Sequence, residues 1–142
     1  MNLFEKSLEI ALKAHSGQKD KVGKAYILHP LRIMAKMETE VEMSVALLHD
    51  ALEDSGLEAA DLLDEGIPAT VVDAVQSLTK GEGENYEIYL ERVLENELAS
   101  KIKKADIEDN INILRLSSVT ERDLERIKKY HRAWWKIKDF IS

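Results

Sequence analysis

Apolar residues in this chain recur three and four positions apart in one short segment after another, and strand-like alternation is nearly absent. Such a pattern keeps apolar side chains on one face of a helix, so a core can form only by packing helices together. Leu3, Phe4, Leu8, Ala11 and Leu12 predict a helix over 2–15 that ends before Gly17. The basic, Gly-containing stretch 16–28 reads as a loop, and Pro30 suits the first position of a helix over 30–38, with His29 as its N-cap. Thr39-Glu40-Val41-Glu42 has the capping-box pattern and opens a helix that Gly56 stops near residue 54. Further helices are expected at 57–65, 68–78, 85–96, 98–114 and 120–140, with a polar, mobile loop at Lys80–Glu84. The expected fold is all-α, a compact helical bundle of seven or eight helices forming a single domain over residues 1–142.

Composition narrows the function classes. Hydrophobic residues make up 44% of the 142, enough for a real core. A formal charge of −7 argues against nucleic acid as a partner. With no cysteine there is no disulfide scaffold, thiol nucleophile or Cys-ligated zinc. Apolar runs are only a few residues long, so no membrane partner is expected. The first residues lack a signal-peptide pattern, so the expected localisation is cytoplasmic.

The helix expected over 40–54 carries the most chemistry. Val41, Val45, Leu48 and Leu52 form one stripe, and Met43, Ala46, Leu47 and Ala51 spread apolar character further round, so the helix should be buried. Its last turn nevertheless reads His49-Asp50-Ala51-Leu52-Glu53-Asp54. Three carboxylates at the negative end of a helix dipole are costly when buried unless a cation neutralises them. The helix over 98–114 repeats the theme: Asp106 falls among Leu98, Ile102, Ala105 and Ile113, with Asp109 on the same face and Asn110 one turn on. An acid there needs a partner, either Lys103 or a metal. Taken singly, each residue has a plain structural reading: a helix cap for His29, a surface dipeptide for His49-Asp50, a buried ion pair for Asp106. Together they supply two imidazoles and two carboxylates, a set that suits one divalent first-row ion, Mn²⁺ first among Mn²⁺, Fe²⁺, Zn²⁺ and Mg²⁺. His15 and His131 read as structural, which leaves too few ligands for a second ion.

These residues resemble the HD superfamily of metal-dependent phosphohydrolases, and more narrowly the (p)ppGpp hydrolase domain of the RelA/SpoT family and its small alarmone hydrolases. The motifs run in order: Ala14-His15-Ser16-Gly17-Gln18, Tyr26-Ile27-Leu28-His29-Pro30-Leu31, Ala46 through Asp54, Leu78-Thr79-Lys80, Lys103-Lys104-Ala105-Asp106, Asn110, then Tyr130 and Trp134. The resemblance implies a single HD phosphohydrolase domain with His29, His49, Asp50 and Asp106 as metal ligands, and with Glu53 and Asp54 orienting and deprotonating the attacking water. It places Lys21, Lys80, Asn110 and Tyr130 against the substrate. The implied reaction removes the 3′-pyrophosphate of the alarmone of the stringent response, guanosine tetra- or pentaphosphate. The synthetase domain of the long family members does not fit within 142 residues.

Two departures bear on the substrate. The family's Arg-Lys before His-Pro is Asp20-Lys21 here, and the Arg expected two residues after the Asn is Asn112. Both thin the substrate-facing cations. The alternatives are therefore an HD-family hydrolase of another nucleotide or phosphoester, and a non-catalytic nucleotide-binding regulatory module. The nucleotide is the expected partner, and a homo-oligomer is left open. The cations of the last helix read as a solvated face, with Arg126 and Tyr130 one turn apart at its inner edge.

Overall fold

The computed structural model describes residues 1–53 and 55–141. Among them it has eight α-helices, one 3-10 turn and no strand longer than the isolated bridge between Lys19 and Ala25. In chain order the helices are α1 (Leu3–Ala14), α2 (Leu28–Met34), α3 (Glu40–Leu48), α4 (Ala59–Asp64), α5 (Ala69–Leu78), α6 (Tyr86–Leu94), α7 (Glu97–Asn110) and α8 (Glu121–Ile141). The 3-10 turn, Ile113–Arg115, joins the last two. No helix among the described residues is long and apolar enough to cross a membrane.

Side-chain caps set where the helices begin. At α3 the Thr39 hydroxyl accepts from the Glu42 backbone N–H, and the Glu42 carboxylate accepts from the Thr39 N–H, each at 3.1 Å. That is the expected capping box, and it satisfies two backbone donors that the helix leaves unpaired. Asn2 and Glu5 form a second capping box at α1, and the Asn85 and Asn96 side chains accept first-turn N–H groups of α6 and α7.

Three boundaries differ from the sequence expectation. Helix α2 begins at Leu28, with Ile27 as N-cap, so His29 is not the cap but lies inside the first turn. Pro30 is accommodated there because first-turn N–H groups have no intrahelical acceptor to lose. Helix α3 ends at Leu48, and residues 49–53 continue as turns, with Ala51 N–H bonded to Leu48 O and Glu53 N–H to Asp50 O. Helix α7 stops at Asn110, after which Asn112 caps the 3-10 turn through its side chain. The Lys80–Glu84 loop is tied down rather than free. Arg92 bonds both the Glu84 carboxylate and the Thr79 carbonyl, and Glu84 in turn accepts from the Gly81 N–H.

Helix α3 is the axis of the fold, packed by α1, α2, α5 and α7. Val45, Ala46, Leu47 and Leu48 are fully enclosed, as the apolar circumference predicted. Each large aliphatic side chain buried this way contributes about 1.5–3 kcal/mol. Val45, Ala46 and Leu48 join Ile33, Val71, Val75, Val93 and Ile102 in the main core. A smaller cluster of Leu90, Leu94, Ile107, Ala133 and Ile137 seats α8 on α6 and α7. Because α2, α3 and α7 share the main core, the polar residues at their facing ends are brought to one place.

Candidate metal centre and substrate cleft

Four donors meet where the end of α3, the first turn of α2 and the middle of α7 converge. The His29 Nε2 atom lies 2.8 Å from Asp106 Oδ1 and 3.9 Å from Asp50 Oδ2. The His49 Nε2 atom lies 3.0 Å from Asp50 Oδ2 and 3.5 Å from Asp106 Oδ1. His49, His29 and Asp106 are buried, and Asp50 is partly so. His29, His49 and Asp50 alone satisfy the spacing of a metal-holding group.

The hydrogen bonds behind the imidazoles decide what their front atoms are. His49 Nδ1–H donates to the Ala46 carbonyl at 2.6 Å, and His29 Nδ1–H donates to Asp109 Oδ2 at 2.6 Å. In the neutral rings both Nε2 atoms are then lone pairs. They face carboxylate oxygens, which are also lone pairs, and among the described residues the buried His49 Nε2 has no hydrogen-bond partner. Acceptors facing acceptors repel unless positive charge stands among them. Burial opposes the charged form of His29 and His49, yet the surrounding carboxylates outweigh it and push both imidazoles above their ordinary pKa. The cluster therefore calls for cationic charge. Donors about 2.1 Å from a shared ion and at right angles are about 3.0 Å apart, so spacings of this size fit a small divalent cation.

The support behind these donors is equally ordered. Asp109 orients His29 and is itself gripped by Arg32, through Nε at 2.8 Å and a second nitrogen at 2.9 Å, and by Arg115 at 3.3 Å. Burial works against the Asp109 carboxylate, but the bonds from His29 and Arg32 hold its pKa well below the usual range. Tyr26 donates its hydroxyl to Asp50 Oδ2, and its ring stands between the rings of His15 and His29. Lys103 is buried and donates to Asp106 Oδ2 at 3.0 Å, so one face of that carboxylate is neutralised while the other faces the imidazoles. His15 Nδ1 lies 2.9 Å from the Gln18 side-chain oxygen, and its ring packs against that of Tyr26.

Glu53 sits at the rim of the same cleft, where the Lys80 backbone N–H donates to one of its carboxylate oxygens at 3.3 Å. Partial burial and the charge of Asp50 raise its pKa. Asp54, paired with it in the sequence reading, lies outside the described residues.

Two cavities open on either side of His29, Tyr26 and Asn110. The larger, about 570 Å³, holds the donor cluster and Glu53 on one wall and Lys80, Lys129, Tyr86 and Tyr130 on the other. The smaller, about 280 Å³, is lined by five cationic side chains, Lys19, Lys21, Arg32, Arg115 and Arg126, against two acids, Asp20 and Asp109. Of the residues expected to meet substrate, Lys80 and Tyr130 line the larger cavity, Lys21 the smaller, and Asn110 both. Asn110 also donates to Asp106 Oδ1 at 3.1 Å.

The smaller cavity is thus rich in positive charge despite the two departures. Asp20 spends its carboxylate on its own loop, accepting from Val22 N–H at 3.0 Å and Lys24 N–H at 2.9 Å. Asn112 caps the 3-10 turn that carries Arg115 back to the site. The sequence puts Asp109 on the right face but not its role, and one cation of the last helix, Lys129, lines the larger cavity instead of belonging to a solvated face. Asp109 stands three residues after Asp106, a spacing that shares a helix face, which was the available signal. Nothing local marked Tyr86, Arg32 or Arg115, whose roles depend on contacts between distant segments.

No family model matches the chain. Over 81 residues it is 36% identical to the guanosine-3′,5′-bis(diphosphate) 3′-pyrophosphohydrolase of Vibrio cholerae, matching 54% of this chain and 11% of that protein. The enzyme of the same name from Aquifex aeolicus is 30% identical over 124 residues, matching 78% of this chain and 18% of that protein. A GTP pyrophosphokinase of Streptomyces antibioticus is 30% identical over 139 residues, matching 92% of this chain and 16% of that protein. The chain spans about a tenth to a fifth of the length of these curated relatives. A solved structure of a metazoan ortholog of SpoT, described as hydrolysing ppGpp and acting in starvation responses, has a similar fold, with a TM-score of 0.75 and 25% identity. That similarity covers 99% of this chain and 85% of the other. In sequence over most of the chain, and in fold over nearly all of it, this protein is similar to these RelA/SpoT proteins.

Proposed function

We propose that the chain is a divalent-metal-dependent phosphohydrolase of the cytoplasm that removes the 3′-pyrophosphate of guanosine tetra- or pentaphosphate. The observation that carries this reading is the placement of the buried donor cluster at the junction of two cation-lined cavities. A nucleotide phosphorylated at both ends of its ribose suits that arrangement, since each end meets its own cations. His29, His49, Asp50 and Asp106 would hold one ion, Mn²⁺ by preference for a mixed nitrogen and oxygen set. Such an ion, when bound, neutralises phosphoryl charge and makes water more acidic.

The chain's own groups account for the rest. Glu53 is the proton acceptor: its raised pKa makes it a better base than an ordinary carboxylate, and the Lys80 N–H holds one oxygen while leaving the other for water. Asp54 shares this role in the proposal. As the water oxygen bonds to the inner phosphorus of the 3′ chain, the bond from phosphorus to the ribose 3′-oxygen breaks. The ribose oxygen leaves with a proton and pyrophosphate is released. Lys80 and Tyr130 face the pyrophosphoryl group, Asn110 spans the two cavities, and Lys21 faces the remote phosphates. Asp109 and Arg32 act behind His29, fixing the ring so that Nε2 points at the cluster.

The test is pyrophosphate release from guanosine tetraphosphate by the purified Mn²⁺-loaded protein, beside Asp50→Ala. Release that disappears in the variant, together with its bound metal, is the expected result. A wild-type protein that holds Mn²⁺ and releases no pyrophosphate would overturn the proposal.

A further inference from the structure

The wall facing the donor cluster carries more positive charge than its neighbours answer. Lys129 extends from α8 into the larger cavity, with Nζ 4.7 Å from the centre of the Tyr86 ring and 5.1 Å from that of Tyr130. Among the described residues neither Lys129 nor Lys80 has a carboxylate within ion-pair distance. Lys103 lies in the same cleft, but its ammonium is committed to Asp106 at 3.0 Å. On the ring that Lys129 lies over, the Tyr86 hydroxyl is buried without a hydrogen-bond partner among the described residues. A buried hydroxyl donor next to a caged, unpaired ammonium lacks an acceptor, and an anion is the ligand that supplies one.

The charge balance says how large the anion is. The phosphoryl group nearest the donor cluster finds its counter-charge there. Among the described residues Lys129 and Lys80 have no carboxylate at ion-pair distance, while Arg126, nearby, has Asp123 at 3.8 Å. Burial first, then Lys103, Arg126 and Lys80, lower the pKa of Lys129, as expected for a cation crowded by others. A second phosphate would relieve that crowding.

Resting on the hydrolase reading above, we propose that Lys129 and the Tyr86 hydroxyl form the seat of the outer phosphate, so that the cleft selects a pyrophosphoryl over a single phosphoryl group. The aromatic rings on either side hold the ammonium in place without cancelling its charge.

Inorganic pyrophosphate and orthophosphate, titrated calorimetrically into the Mn²⁺-loaded chain, test the seat directly. Wild type should bind pyrophosphate at least about tenfold more tightly than orthophosphate, the scale of one charge-assisted hydrogen bond. Lys129→Met should lose that preference, Tyr86→Phe should reduce it, and Lys129→Arg should retain most of it. Lys128→Met, one position along on the exposed side of α8, should behave as wild type. Unchanged Mn²⁺ affinity and melting temperature in Lys129→Met and Tyr86→Phe would show that the loss is local. Equal affinity for the two anions in wild type, or an unaltered preference in Lys129→Met, would overturn the proposal. Failure of wild type to hydrolyse guanosine tetraphosphate would instead break the hydrolase reading, and the titrations would still decide whether the seat exists.

Discussion

The donor wall of the cleft stands on α2, α3 and α7, with His49 at 2% exposure and Asp106 at 6%. The facing wall stands on α8 and the segment from Leu78 to Tyr86, with Lys80 and Lys129 partly in solvent. The first wall is rigid because its elements share the main core, and nearly every polar atom on it is held by a second residue. The second is a set of long cations held by rings and by one loop network around Arg92 and Glu84. Substituting the buried carboxylates of the first wall should therefore cost stability and metal together. Substituting the second should change what is bound and leave the fold alone.

The largest expected effect is at Asp106, which neutralises Lys103 and faces both imidazoles. Asp106→Ala leaves a buried ammonium without its partner, which typically costs about 3–5 kcal/mol. Urea unfolding of the chelator-treated protein should show a loss of that order, and Mn²⁺ binding should vanish. A variant as stable as wild type would mean that Lys103 finds another partner, and that the donor wall is less tightly built than its geometry indicates.

Asp109→Ala comes next. It removes the acceptor of His29 Nδ1–H, sets Arg32 loose, and leaves Arg115 only its bond to the residue 109 backbone carbonyl. Loss of such a supporting carboxylate typically weakens metal binding by about 10–100-fold. Calorimetric titration with Mn²⁺ measures this, and an unchanged affinity would place Asp109 outside the metal's support. The same carboxylate carries a pH signature. Its pKa is depressed on folding, so its contribution to stability is full above the ordinary aspartate range and is lost as pH falls through the lower folded value. Wild type should lose stability through acid pH more steeply than Asp109→Ala.

What the sequence made legible follows the same division. Helix existence and the capping box at Thr39 depend on local spacing, and these appear where expected. Asp106 stands out as an acid in an apolar stripe, His49 and Asp50 as polar residues ending a buried helix, and His29 by its place before Pro30 at a helix mouth, while the ligand set as a whole rests on the family resemblance. Lys129 could not stand out, because on a long helix full of lysines and arginines only tertiary packing decides which one turns inward. Asp20 misled for a related reason. Its identity suggested a lost cation, whereas its carboxylate serves the loop backbone and the cations come from Arg32, Arg115 and Arg126.

A smaller effect follows for that loop. Asp20→Arg should not create a better nucleotide site, since it removes the acceptor for the Val22 and Lys24 N–H groups. Amide exchange at those two positions should quicken by about tenfold, the scale of one lost hydrogen bond, while Asp20→Asn keeps the turn. Tighter nucleotide binding with unchanged exchange in Asp20→Arg would show that the loop needs no such acceptor.

The smallest stability change, of opposite sign, belongs to Glu53. Its folded pKa is raised, first by partial burial and then by the charge of Asp50. A carboxyl raised on folding favours the folded state below its unfolded pKa, and that advantage is lost as pH rises through the folded value. At neutral pH the charged Glu53 is therefore a small burden, and Glu53→Gln should be slightly more stable than wild type, by less than about 1 kcal/mol after solvent screening. Hydrolysis should fall by two or more orders of magnitude, about the share that general-base catalysis supplies. In wild type the acid limb of the rate profile should lie above the ordinary glutamate range, because the base must first lose its proton. Thermal melts and a pH–rate profile on the two proteins measure both signs. A Glu53→Gln variant that is less stable and still active would make the residue a structural brace, and would move the proton acceptor elsewhere on the donor wall.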